Sequence, residues 1–183
     1  MKNPRVEFTY TPQDFIDAQN LHWLRAVLGW KFLRTILILG SLLSLLYFYL
    51  AYLSDESIST MILSGLAGFA FSAVFLVVLS TINRLFFIPR SQRKAFSQMK
   101  EYTGQNSFTL NDETILITTL RGQTELPYTD FVKWTENQKT VILYRTDRLI
   151  HFIQKSKTET SFQKFLIGNL AQAKIPSVNF WNN

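Results

Sequence analysis

The sequence of 183 residues contains no cysteine and only two histidines, His22 and His151. The absence of cysteine excludes disulfides, thiolate metal sites and a cysteine nucleophile. No His-x-x-x-His pair and no carboxylate cluster at ligand spacing occurs, so we expect neither a metal ion nor a cofactor. A glycine-rich phosphate loop and a Gly-x-Ser-x-Gly elbow are also missing. These absences favour a protein that is not an enzyme, and we predict no catalytic residue.

Charged side chains are absent from two long stretches, residues 35–53 and 57–83. As a helix, either stretch can cross the roughly 30 Å hydrocarbon core of a bilayer. The short connection between them carries Asp55 and Glu56 but no basic residue. Ionisable groups inside a span usually mark an ion or proton route, so their absence argues against a transporter. The sequence therefore predicts a transmembrane hairpin over residues 35–83.

Basic residues flank this hairpin on one side only. Because Lys and Arg close to a span hold that end in the cytoplasm, we expect both termini to be cytoplasmic. The basic residues that follow the hairpin are also candidates for contact with anionic lipid head groups. Residues 105–183 are close to charge balance, so nucleic acid is not an expected partner. The basic residues are Lys31 and Arg34 before the hairpin, and Arg84, Arg90, Arg93 and Lys94 after it.

Small residues recur every four positions within the spans. They are Gly40 and Ser44 in the first span, and Ser64, Gly68 and Ser72 in the second. Small side chains at this spacing let helix backbones approach closely. Two interpretations stay open: packing between the two helices of one hairpin, or a seam between two copies in a homo-oligomer.

Residues 1–34 and 84–104 lie on either side of the hairpin. The first segment is predicted to form a strand at residues 6–10, which we expect to join the sheet, and then a helix. Thr11 is the predicted N-cap of that helix, with Pro12 at its first position and Asp14 three residues after the cap. We expect this amphipathic helix to run along the inner membrane surface or to slope into it. Packing against the cytoplasmic domain is a second interpretation, and the two are compatible. Residues 84–104 are predicted to form a juxtamembrane cytoplasmic helix with a break or kink at Pro89.

From residue 105 onward the apolar periodicity becomes alternating. Short strands separated by turn residues indicate an antiparallel meander that forms a curved sheet or partial barrel. Thr160 and Gln163 have capping-box spacing at the start of a final helix, and the tail from Lys174, with Phe180 and Trp181, is irregular. The predicted fold class is thus an α+β membrane protein, in which a C-terminal helix closes a small cytoplasmic antiparallel sheet over residues 105–183.

Five short stretches of this sequence form a recognisable pattern: Thr11-Pro12-Gln13-Asp14-Phe15, Phe108-Thr109-Leu110-Asn111-Asp112-Glu113, Leu126-Pro127-Tyr128-Thr129-Asp130-Phe131-Val132-Lys133, Val141-Ile142-Leu143-Tyr144 and Phe152-Ile153-Gln154-Lys155. Together they resemble the YcxB-like membrane proteins of bacteria. The resemblance implies a bacterial inner-membrane protein of uncharacterised activity whose C-terminal part is similar to pleckstrin-homology-like (PH-like) folds. It implies no catalytic residue. Two positions differ from the pattern expected of the family: Tyr128 stands in place of Trp, and Gln154 in place of Pro.

Taken together, these features predict a non-enzymatic, membrane-anchored interaction or regulatory module. Its expected partners are membrane lipids and a protein that the sequence does not identify. One alternative is recognition of an anionic lipid or a small ligand at the cytoplasmic membrane surface. Another is a membrane-associated enzyme whose site the sequence does not reveal.

Overall fold

The computed structural model describes residues 3–147 and 149–178, except for the side chains of Leu28 and Glu101. Phe180 and Trp181 of the predicted tail lie outside this range. The chain divides into two compact units: the helical unit is Trp23–Phe87, and the sheet unit combines residues up to His22 with those from Ile88 onward. The sheet unit contains two antiparallel sheets as well as helices, so the α+β prediction is confirmed.

The helical unit contains helices α2 (Trp30–Leu53) and α3 (Ile58–Ile82), and it includes the end of helix α1 (Pro12–Leu28). Helix α2 begins after Gly29, whose backbone is extended. Ser57 caps α3 by accepting a hydrogen bond from the backbone N–H of Thr60. Among the described residues, two helices are long and apolar enough to cross a membrane, and only 11% and 17% of their most apolar windows are buried. This exposure distinguishes them from core helices of a soluble domain.

Helix α3 does not end where the sequence predicts a break. It continues through a π-helical turn at Asn83–Phe87 into helix α4 (Ile88–Gln98). Pro89 has no N–H to donate to the carbonyl of Leu85, and a widened turn directly before it is a known way to accommodate such a gap. The irregularity that was expected at Pro89 therefore lies in the preceding turn.

Among the described residues, seven strands form two antiparallel sheets in the sheet unit, where the sequence predicted a curved sheet or partial barrel. The first sheet has the order β1-β2-β3-β4 and the second the order β5-β6-β7. A short 3₁₀ helix at Tyr128–Asp130 separates them. Strand β1 pairs with β2, which places Phe8 opposite Asn106, so the N-terminal strand joins a sheet as expected. The strands are β1 (Arg5–Thr9), β2 (Gln105–Leu110), β3 (Thr114–Thr119), β4 (Gly122–Pro127), β5 (Lys133–Glu136), β6 (Thr140–Tyr144) and β7 (Ile150–Gln154).

The first half of α1 packs against the sheets. Its predicted capping box is present: the backbone N–H of Thr11 donates to Asp14 Oδ2 at 2.6 Å, and the N–H of Asp14 donates to Thr11 Oγ1 at 3.4 Å. Phe15, Ala18 and Leu21 are buried in the core. Packing against the domain, one of the two interpretations of this segment, is thus observed for residues 12–22.

Helix α5 (Thr160–Gln172) buries Phe162, Leu166 and Leu170 in the same core. The capping box predicted for it is wrong, because Glu159 is the N-cap. The side chain of Gln163 instead donates to Thr158 Oγ1 at 2.9 Å and to the Lys155 carbonyl at 3.1 Å. The side chain of Gln163 therefore connects helix α5 to the preceding turn through hydrogen bonds.

Candidate functional site

A cavity of about 460 Å³ lies in the sheet unit. It is bounded by strands β2, β3 and β4 of the first sheet, by the edge strand β7 of the second, by the first half of α1 and by the segment from α4 to β2. This volume falls in the range of about 300–1,000 Å³ that is typical of small-molecule sites. Aromatic rings and a few polar groups line the cavity, among them Tyr10, Phe15, Asn106, Phe108, His151 and Phe152.

Four packed rings make one wall of the cavity. The ring of Phe152 lies 4.9 Å from the centroids of both Tyr10 and Phe15, and Tyr102 lies 5.7 Å from each of the same two rings. The hydroxyl of Tyr10 donates to the backbone carbonyl of Phe152 at 2.7 Å. Burial raises the pKa of Tyr10 well above its ordinary value. The wall is thus largely aromatic, and the buried hydroxyl of Tyr10 is already bonded.

Asn106, one of the residues that line the cavity, carries an unused hydrogen-bond acceptor. Its side chain is only 1% exposed, and its Nδ2 donates to the carbonyls of Gly104 at 2.8 Å and Tyr102 at 3.3 Å. Rotating the amide would bring Oδ1 against these two carbonyls, so the contacts determine which way it points. Oδ1 is buried and has no hydrogen-bond partner among the described residues. Leaving such a group unsatisfied costs about 1–3 kcal/mol, which a bound donor would recover.

His151, on β7, contributes a second unsatisfied atom. Its Nε2 is buried without a hydrogen-bond partner in the described part of the chain. Burial lowers the pKa of His151, and the nearby positive charge of Arg145 lowers it further. A neutral imidazole offers one donor and one acceptor. The Arg145 charge is itself compensated, because Nη2 lies 3.2 Å from Asp130 Oδ2.

The other histidine belongs to a different contact. His22 Nδ1 lies 3.2 Å from the hydroxyl of Tyr144, and burial lowers the pKa of this imidazole as well. His22 is not among the residues that line the cavity. Within the described ranges, no group of three or more His, Asp or Glu residues could hold a metal ion.

The structure separates the predicted basic residues into two places. Arg84 lies in the π-helical turn, where its guanidinium sits 5.2 Å from the centroid of the Trp23 ring. Arg90, Arg93 and Lys94 lie on α4 with exposed side chains. Their spacing of three and four residues places these three on one face of the helix. None of the four lines the cavity.

The predicted small residues lie largely between α2 and α3. A Cβ atom at Gly40 would come within 2.7 Å of the Phe69 ring, and one at Gly68 within 2.9 Å of the Tyr47 ring. Ser72 is buried, and Ser44 and Ser64 are half-buried. Sequence reasoning missed Gly65, which is buried and faces Ser44. These contacts are made within a single hairpin.

Sequence reasoning also missed Asn106, and it did not predict that Asn106 and His151 line the same cavity. Asn106 lies inside a strand, and no motif marks it. Its role depends on two backbone carbonyls upstream and on the second sheet, which begins more than 25 residues later. The only available signal was the His151 position within an apolar strand.

One comparison with known proteins bears on this region. No curated protein matches the chain. Residues 110–165 match the family described as YcxB-like protein. This segment runs from the end of β2 into α5 and includes three of the C-terminal stretches on which the resemblance was based. The match confirms the resemblance over residues 110–165, where this chain is similar to YcxB-like proteins.

Proposed function

We propose that the protein is a non-enzymatic, membrane-anchored binding module that takes up a small ligand in the cavity of its sheet unit. The observation that supports this most strongly is the pairing of an aromatic wall with two unsatisfied buried atoms, Asn106 Oδ1 and His151 Nε2. Preformed apolar pockets with a few polar anchors are the usual form of ligand sites.

Binding explains this site better than catalysis does. A hydrolytic or transfer reaction needs a nucleophile or an acid–base pair held by an orienting group. The ionisable side chains among the described lining residues are Tyr10, Tyr102, Arg145 and His151, and no carboxylate is present. The Tyr10 hydroxyl donates to a backbone carbonyl, and Arg145 pairs with Asp130 outside the lining.

The anchor in this proposal is the α2–α3 hairpin, with both termini in the cytoplasm of a bacterial cell. Its support is the exposed apolar surface of both helices, together with the basic residues that flank them. The connection between the two helices carries Asp55 and Glu56 but no basic residue, so the positive charges flank only the outer ends of the hairpin.

The cavity can be tested by blocking its mouth. Thr124 on β4 lines the cavity and is exposed, so Thr124→Trp fills space without disturbing the core. Gln123→Trp is the matched control, because neighbouring strand residues point to opposite faces. Native mass spectrometry of protein purified from membranes should show a bound small molecule in the wild type and in Gln123→Trp, but not in Thr124→Trp. An identical set of bound masses in all three proteins would contradict the proposal.

A second candidate is a protein partner that pairs with strand β4. This strand is the edge of the first sheet, and residues 122–125 are all exposed. Apart from the ladder with β3, residues 122–127 make no backbone–backbone hydrogen bond within the described chain. Open edges of this kind accept an added strand.

This second candidate is tested by a photo-crosslinking amino acid placed at Gln123, with one at the exposed Glu159 as control. Capture of one protein band from Gln123 alone supports edge pairing. Equal capture from both positions, or none, opposes it.

A further inference from the structure

We infer that the cavity selects an uncharged, ring-containing molecule that carries a hydrogen-bond donor, with Asn106 Oδ1 as the acceptor that recognises it. This inference rests on the proposed function and adds the chemical class of the ligand. Hydroxyl and N–H groups on an aromatic or cyclic scaffold belong to this class.

The requirement for a donor follows from the way in which Asn106 is held. Both hydrogens of its amide face backbone carbonyls, so the atom left for a ligand is an acceptor. A ligand hydroxyl or N–H satisfies this oxygen. A ligand carboxylate or ether would place a second acceptor against it. Sites built to bond a donor reject analogues that lack it, because the buried protein group stays unpaired.

The preference for an uncharged ligand follows from the other polar groups of the cavity. No acidic side chain is present among the described residues that line it, so a cation would have no counter-charge. The guanidinium of Arg145 already pairs with Asp130, and His151 is held neutral. An anion would therefore find only the already compensated charge of Arg145, and it would face the acceptor oxygen of Asn106.

The preference for a ring follows from the wall. Phe15 and Phe152 pack edge to face with an interplanar angle of 83°, and Tyr10 and Tyr102 pack edge to face at 76°. A planar ring can extend this packing in the same offset or edge-to-face geometry. The volume of about 460 Å³ leaves room for a molecule of one or two rings. His151 Nε2 can then form a hydrogen bond with a second polar atom of the same ligand.

Two probes with the same fluorinated ring, one with a hydroxyl donor and one with that hydroxyl methylated, test this inference on the unmodified protein. 4-Fluorophenol carries a hydroxyl, and 4-fluoroanisole has the same ring with a methyl ether. ¹⁹F NMR titration of the full-length protein in nanodiscs measures binding of each probe, and the Thr124→Trp protein supplies the background from partition into lipid. We expect the Thr124→Trp-sensitive affinity to be about 10-fold or more higher for 4-fluorophenol. 4-Fluorobenzoate, an anion of similar size, should bind more weakly than the phenol.

The outcomes separate this inference from the proposed function. Equal affinity for the phenol and the ether, both sensitive to Thr124→Trp, would overturn the donor requirement and leave the cavity as a binding site. Failure of all three probes to show Thr124→Trp-sensitive binding would overturn the ligand class, while the native mass spectrometry decides separately whether the cavity is occupied. Asn106→Leu, measured on folded protein, adds a further check. This substitution should abolish the preference for the phenol over the ether.

Discussion

Gln154 is expected to be one of the most sensitive positions of the sheet unit. It is 2% exposed at the end of β7 and connects three elements. Its Nε2 donates to the carbonyl of Asp14 in α1 at 3.0 Å, and its Oε1 accepts from Thr140 Oγ1 in β6 at 3.0 Å. Thr140 is itself fully buried. Gln154→Leu keeps the approximate size of the side chain and removes both hydrogen bonds.

The expected loss can be worked from these contacts. Two hydrogen bonds contribute about 0.5–1.5 kcal/mol each, and the Thr140 hydroxyl, left buried without its acceptor, costs about 1–3 kcal/mol. We therefore expect Gln154→Leu to lower the free energy of unfolding of the sheet unit by about 2–6 kcal/mol. The double variant Thr140→Val/Gln154→Leu removes the stranded hydroxyl as well. It should recover about 1 kcal/mol or more relative to Gln154→Leu, because both partners are then apolar.

Amide hydrogen exchange of β6 in the full-length protein measures this quantity, because the slowest core amides exchange through global opening. The control is Gln172→Leu, the same substitution at an exposed position of α5, which should change stability by less than about 0.5 kcal/mol. Two results would refute this reasoning. One is a loss of unfolding free energy in Gln154→Leu no larger than in the control, and the other is a loss in the double variant that exceeds the summed losses of the two single variants.

Three further predictions concern the hairpin, the histidines and the basic residues. Gly68→Leu should lower the thermal stability of the detergent-solubilised protein far more than Ala67→Leu, because Gly68 faces Tyr47 closely and Ala67 is exposed; equal loss would contradict hairpin packing. Because burial lowers the pKa of His151 and His22 below 6.5, the unfolded state takes up protons first, so the free energy of unfolding should fall as pH drops below about 6.5. Hydrogen exchange at pH 7.5 and 5.5 measures this, and the decrease should shrink in His151→Gln; a pH-independent stability opposes it. Replacing Arg90, Arg93 and Lys94 by Glu should reduce retention of phosphatidylglycerol in native mass spectrometry, and unchanged retention would remove anionic lipid from the expected partners.

Much of the fold could be predicted because its signals are local. The charge-free stretches identify the two apolar helices, and the Thr11–Asp14 capping box depends on four consecutive residues. The start of α2 at Trp30, five residues before the predicted span, could not be read from charge, because Lys31 and Arg34 are tolerated in its first turns. The continuous helix through Pro89 was missed because the π-helical turn that accommodates it has no sequence signature.

The candidate site, and the buried Gln154 network that lies outside its lining, were hidden because both depend on contacts that are distant along the chain. Gln154 differs from the proline expected in YcxB-like proteins, and only the structure shows that its side chain reaches Asp14, 140 residues earlier. Asn106 becomes an unpaired acceptor only once the segment before β2 has turned its carbonyls toward Nδ2. Neither arrangement follows from apolar periodicity, which reports the buried face of a strand and not the hydrogen bonds made there.

The most direct test of the membrane anchor is single-cysteine labelling in intact bacterial cells. The chain has no cysteine of its own, so Glu56→Cys in the α2–α3 connection and Asn137→Cys in the β5–β6 turn each introduce one thiol. A membrane-impermeant maleimide should label Glu56→Cys in intact cells, and it should label Asn137→Cys only after the cells are lysed. Labelling of Asn137→Cys from outside, or recovery of the unmodified protein in the supernatant after high-speed centrifugation without detergent, would contradict the account.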